Sequence, residues 1–234
     1  MGEARWHHDT GAGGHEADVR QERASFADRR DAGWRLAECL DRFRKPDAVV
    51  VGIPCGGIVV AKEVADALGA PLDVIVVRKL GVPTQPELAM GAVGEEGVRL
   101  VNEDVVRAAN VSYETFATVE AVQRELVERR AGHLRKGRAP IPLHGRTVVV
   151  VDDGIATGAT AGAACRIARA RGAARVVLAV PVAPPGWEGR LGDAADEYHC
   201  VATPDPFVAI GLFYDDFGQV TDVETAELLA QASR

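Results

Sequence analysis

The chain has no C-x-x-C pair, no block of basic residues, no internal repeat and no apolar run long enough to cross a bilayer. Each absence removes a class of function. Its four cysteines, Cys39, Cys55, Cys165 and Cys200, are too scattered for a zinc ligand set and are expected as reduced thiols of an intracellular protein. Lys and Arg total 27 against 34 Asp and Glu, a net charge of −7, so a nucleic-acid partner is not expected. The long apolar runs end after about eight residues, short of the ~20 that span a bilayer, and the N-terminus has no apolar signal core. The expectation is a cytoplasmic protein without a membrane partner. Two phosphate motifs are also missing: G-x-x-x-x-G-K-[ST] occurs nowhere, and the loop at 152–160 lacks the three spaced glycines of a dinucleotide fingerprint.

What is present is an alternation of helix and strand. At 234 residues the chain can bury a sizeable core. Residues 1–22, rich in Gly, His and charge without periodicity, read as a disordered tail in which nothing fixes His7, His8 and His15 around a metal. Residues 23–234 read as a single domain. Ser25 with Asp28 marks a helix start, followed by Trp34, Leu36, Ala37, Leu40 and Phe43 at helical spacing. A strand is predicted at 48–53, then a helix lined by Val60, Val64 and Leu68 and stopped by Gly69, then a second strand at 74–77. Phe116, Val119, Val122 and Leu126 stripe a long helix starting near Ser112. Strands at 147–151, 175–180 and 198–202, with a helix over 158–171, complete an α/β, Rossmann-like, doubly wound parallel sheet flanked by helices. Residues 80–101 break the rhythm with Gly81, Pro83, Pro86, Gly91, Gly94 and Gly97, and predict a flexible flap ending in a short strand at 98–101.

The stretch VVVVDDGIATGAT, residues 148–160, concentrates the chemistry. A strand apolar at every position is buried on both faces, so Asp152 and Asp153 emerge at its carboxyl end, where open α/β sheets bind ligands. Ala156, Thr157, Gly158, Ala159 and Thr160 are small enough for backbone N–H groups to approach a phosphate at the positive end of the next helix. Two carboxylates beside that phosphate would repel a nucleotide tail but suit a ribose diol, or Mg²⁺ between hydroxyls and phosphates.

The strand, acidic pair and T-G turn resemble the signature of the type I phosphoribosyltransferases. The resemblance covers roughly residues 25–222, with the loops in family order. It implies a Mg²⁺-dependent glycosyltransferase of nucleotide metabolism that moves 5-phosphoribosyl from 5-phosphoribosyl 1-pyrophosphate (PRPP) to a nitrogenous acceptor and releases pyrophosphate. Asp152 and Asp153 would hold the ribose hydroxyls and Mg²⁺, the metal in part through water. The turn from Ala156 to Thr160 would take the 5-phosphate. Cys55, Gly56 and Gly57 open a helix after the first strand, and Arg78 and Lys79 end the second strand on the same edge, so these five would surround the pyrophosphate. Glu87, in a QPELAMGAV phrase shared with a bacterial subgroup of the family, would approach the acceptor when the flap closes. Residues 25–43 and 203–222 would form a small hood over the sheet's carboxyl edge.

This chain departs from that subgroup at one position. The subgroup's loop reads P-R-G-G where this chain has Pro54-Cys55-Gly56-Gly57, so a cation for pyrophosphate is missing. A nucleophilic Cys55 is disfavoured, since no histidine base lies nearby in sequence. Ala156 stands where enzymes acting on 6-oxopurines carry an acid, and the A-T-G turn is like that of adenine enzymes. The alternatives are a hydrolase or phosphatase of phosphoribosyl compounds, an altered-donor enzyme, and a non-catalytic sensor of PRPP or a nucleotide. Small-molecule substrates and a second copy in a homodimer are the expected partners.

Overall fold

The computed structural model describes residues 25–232, so the expected tail with its three histidines lies outside the described residues. The strands are β1 (Ala48–Gly52), β2 (Leu72–Val74), β3 (Val77–Val82), β4 (Gln85–Gly94), β5 (Arg99–Val101), β6 (Thr147–Val151), β7 (Arg175–Val182) and β8 (Glu197–Ala202). The helices are α1 (Arg29–Glu38), α2 (Gly56–Leu68), α3 (Glu103–Ala108), α4 (Tyr113–Arg135), α5 (Ala159–Ala170), α6 (Trp187–Leu191) and α7 (Asp222–Gln231).

Five parallel strands form the main sheet in the order β2-β1-β6-β7-β8. The middle strand β6 pairs with β1 and β7, Val149 facing Val50 on one side and Val177 on the other. Every residue of β1 and β6 is buried, because helices cover both faces. Alternate residues go to opposite cores. Val50, Val149 and Val177 pack with Leu36 of α1, Val64 of α2, Leu134 of α4 and Leu229 of α7. Val148, Val150 and Leu178 pack instead with Ile167 of α5 and Trp187 of α6.

The structure redraws the predicted second strand. The apolar run at 74–77 belongs to two strands in two sheets: β2 ends at Val74, and β3 starts at Val77 in a separate antiparallel sheet, β3-β4-β5. Ile75 and Val76 are buried like their neighbours, so hydrophobicity does not drop where the chain changes sheets. The predicted flap at 80–101 is the body of this second sheet. Its root is stapled to the main sheet by Arg135 of α4, which is buried and donates from Nε to Asp73 Oδ1 (2.7 Å), from Nη1 to Glu95 and from Nη2 to the Val74 carbonyl (2.8 Å). Glu95 also accepts from Val76 N (3.0 Å), and Asp73 accepts from Ile141 N (2.8 Å).

Three local expectations shift. Asp28 rather than Ser25 caps α1, accepting from the backbone N–H groups of Arg30 and Asp31, while Ser25 donates to Asp215. Trp34 faces solvent on α1. On α4 the buried stripe runs through Phe116, Val127, Ala131 and Leu134, leaving Val122 exposed.

Candidate functional site

Two loops leave the carboxyl edge of the main sheet side by side, because β1 and β6 are paired along their whole length up to Gly52 and Val151. Their contact is close enough to dictate residue type. A Cβ on Gly56 would collide with the Asp153 carboxylate, and one on Gly57 would lie 2.9 Å from Asp152 Oδ1. Thus Gly56 and Gly57 let the two loops pack against each other. The helix that they open, α2, has no side-chain cap, which leaves donors of its first turn for an anion.

The acids are held from several directions. Asp153 N donates to Asp152 Oδ1 (2.9 Å), and the Tyr214 hydroxyl donates to the Asp153 carbonyl (2.6 Å). Arg29 donates from Nε to Asp153 Oδ2 (2.8 Å) and from Nη1 to the Gly218 carbonyl (2.8 Å), and its guanidinium carbon lies 3.8 Å from the centroid of the Phe217 ring. Burial pushes the Asp152 carboxyl well above the usual carboxylate range, and the charge of Asp153 adds to the effect. Burial also raises Asp153, against the opposing pull of Arg29. Burial raises the Tyr214 phenol as well, so that it stays a donor. Asp152 Oδ2 and Asp153 Oδ1 have no hydrogen-bond partner among the described residues.

Gly158 sits at φ 82° as the N-cap of α5, in the left-handed region that glycine reaches without strain, and no side chain caps the helix. Residues 152–161 and Ile210 line a cavity of about 200 Å³. Ala156, Thr157, Ala159 and Thr160 are exposed in this turn.

The Cys55 side chain meets α4 and α7. Its thiol donates to Asp222 Oδ1 on α7 (3.1 Å), and Arg130 of α4 donates from Nη2 to Cys55 Sγ (3.0 Å) and to Asp222 Oδ1 (3.0 Å). Burial first, and then the bond to Asp222, raises the thiol pKa, the opposite of what a nucleophile needs. A guanidinium therefore stands beside the loop where the sequence has lost one. Arg130 lies 75 positions from Cys55, and no local signal could have found it.

Arg78 and Lys79 do not end a strand of the main sheet. Both lie in β3, the first strand of the second sheet. Arg78 Nε donates to Gln123 Oε1 on α4 (2.6 Å). Lys79 Nζ pairs with Glu87 Oε2 of β4 (3.1 Å), and Glu87 is almost fully exposed. Lys79 also lines a cavity of about 760 Å³ between the second sheet and α5, together with Thr157, Thr160 and Arg166. The residues sequence reasoning missed are Arg29, Tyr214, Arg130 and Asp222, each placed by packing. No group of three or more His, Cys, Asp or Glu able to hold a metal occurs among the described residues, and no helix among them is long and apolar enough to cross a membrane.

The chain is 43% identical to TT1426 from Thermus thermophilus, whose crystal structure superposes with a TM-score of 0.80 over 88% of this chain and 98% of that one. A protein of Mycobacterium tuberculosis (strain H37Rv), named provisionally as a phosphoribosyl transferase, is 53% identical over 209 residues, 89% of this chain. The chain spans 47% of that relative's length. An adenine phosphoribosyltransferase of Kineococcus radiotolerans is 45% identical over 75 residues, 29% of this chain and 40% of its own. The phosphoribosyl transferase domain family matches residues 31–216, which take in both loops, the second sheet and the acids. With that match spanning most of an α/β fold that carries the acidic pair and the small-residue turn after it, the chain belongs to the phosphoribosyl transferase domain family.

Proposed function

We propose that this chain is a phosphoribosyltransferase that binds PRPP across the two loops and transfers its phosphoribosyl group to a nitrogenous acceptor. The observation that carries the reading is the packing of Gly56 and Gly57 onto Asp153 and Asp152. It supports the reading because it brings an uncapped helix start, two acids and a small-residue turn together along one edge, the order in which pyrophosphate, ribose and 5-phosphate would lie. Asp152 Oδ2 and Asp153 Oδ1 accept the ribose hydroxyls. Ala156, Thr157, Gly158, Ala159 and Thr160 wrap the 5-phosphate with backbone amides and hydroxyls. Cys55, Gly56 and Gly57 receive the pyrophosphate, with Arg130 as the nearby positive charge.

The acceptor nitrogen attacks C1 of the ribose as the C1–O bond breaks, and the bonding electrons leave with pyrophosphate. The acids lie near the positive charge that grows on the ribose and stabilise it without forming a covalent bond. Lys79 and Glu87 would join when the hairpin folds over the site and excludes water, Lys79 toward pyrophosphate and Glu87 toward the acceptor. The donor set fits Mg²⁺, which binds through one or two carboxylates plus substrate oxygens rather than a full protein cage. Asp152 and Asp153 would hold it, directly or through water, and the ion would supply neutralising charge to the pyrophosphate.

Titration calorimetry with PRPP and Mg²⁺ tests the binding step, and product analysis tests the chemistry. The expected result is saturable binding, with PRPP consumed only when an acceptor base is present. Free ribose 5-phosphate released at the same rate without any acceptor would replace the transferase by a hydrolase. Binding with no turnover on any nitrogenous base would favour a sensor.

A further inference from the structure

Arg29 is the first residue of α1, and its side chain is one-tenth exposed. It ties together three parts of the chain that are far apart in sequence. Its Nε meets Asp153 Oδ2, Nη1 meets the Gly218 carbonyl, and its planar face carries Phe217. Two further contacts set where it stands. Asp28 caps the helix that begins with it, and the preceding segment pairs with the segment before Gly218: Phe26 N donates to the Phe213 carbonyl (2.8 Å) and Asp215 N donates to the Phe26 carbonyl (2.8 Å). Tyr214, in the same segment, reaches the backbone of Asp153 and packs on Phe26 with ring centroids 5.3 Å apart. Segment 207–218 thus touches the acidic loop through Tyr214 and through Arg29.

We propose that Arg29 is the positioning residue that seats segment 207–218 on the acidic loop, fixing one oxygen of Asp153 so that the other faces the donor and placing Phe217 beside it. This rests on the transferase reading for the identity of the donor, not for the clasp itself. A guanidinium suits the task because its fork donates in two directions within one plane while that plane stacks on an aromatic ring. Lysine offers one nitrogen and no flat face. It can reach Asp153 but cannot hold Asp153, Gly218 and Phe217 together.

The test compares wild type with Arg29→Met and Arg29→Lys by hydrogen exchange and by calorimetric titration with PRPP and Mg²⁺. In Arg29→Met, exchange across 207–218 should rise about tenfold or more while strand 147–151 keeps its protection, and PRPP affinity should fall about tenfold. In Arg29→Lys, part of the affinity should return while 207–218 stays loosened. Unchanged protection of 207–218 in Arg29→Met overturns the proposal, and so does a loss of protection spread evenly over the chain, which would make Arg29 a general structural residue. If Arg29→Met does not fold, Arg29→Lys decides: a folded lysine variant with wild-type protection at 207–218 sinks the clasp. Wild type that binds no PRPP defeats the transferase reading instead, and the exchange comparison still judges Arg29.

Discussion

The acidic loop and the hairpin of the second sheet carry proposed site residues in opposite ways. Asp152 and Asp153 follow a strand buried on both faces, lie against Gly56 and Gly57, and are tied by Arg29 and Tyr214. Lys79 and Glu87 sit on a hairpin buried at its root, where Leu80, Met90 and Val93 are fully covered, and exposed over 83–88 at its tip. Groups that must be in place before a ligand arrives are built on the rigid scaffold. Groups needed only after it arrives can be held on a segment with few buried contacts. The boundary between the two regimes is the Arg135 staple, which fixes the root of the second sheet and leaves its tip free.

Breaking that boundary should have the largest effect. Arg135→Met leaves Asp73 and Glu95 buried without their cation and should cost about 3–5 kcal/mol of stability in urea unfolding, since an unpaired buried charge is strongly destabilising. Wild-type stability in that variant would mean that the root is held by packing alone. Next comes the rigid side. Asp152→Asn with Asp153→Asn should keep the fold by circular dichroism but lower turnover of PRPP at least about 100-fold, or ~2.7 kcal/mol, because charge-assisted contacts that tighten in the transition state are lost. A folded double variant with near-normal turnover would remove the acids from the chemistry.

A smaller effect is expected at the edge of the rigid loop. Cys55→Arg should tighten PRPP binding by no more than about tenfold, ~1.4 kcal/mol, because the new guanidinium must share Asp222 with Arg130. The gain should shrink with added salt. Calorimetry showing weaker binding would mean that position 55 faces something other than pyrophosphate. The hairpin side should respond least in stability. Lys79→Met breaks an exposed pair with Glu87 and should change unfolding free energy by less than about 1 kcal/mol. The same region should nevertheless show rapid hydrogen exchange over 83–88 that slows with PRPP and Mg²⁺ in wild type. Equal exchange with and without the ligands would erase the contrast between anchored loop and closing tip.

Sequence alone determined the alternation of elements, the central strand at 147–151, the acids at its end, the small-residue turn before α5 and the stop at Gly69, because each follows from periodicity or turn chemistry within a few residues. It went wrong where burial hides a boundary: the run at 74–77 is apolar through the passage from one sheet to the other, so Arg78 and Lys79 were expected on the wrong sheet. Only the tertiary structure decided which distant side chains meet. Arg29 and Asp153 are 124 positions apart, and Cys55 and Asp222 are 167 apart. Such contacts depend on how α1, α4 and α7 stack against the sheet, and helix packing leaves no periodic trace in the charged residues it brings together. Even the glycines at 56 and 57, legible as a loop, owe their necessity to the acids that fold against them.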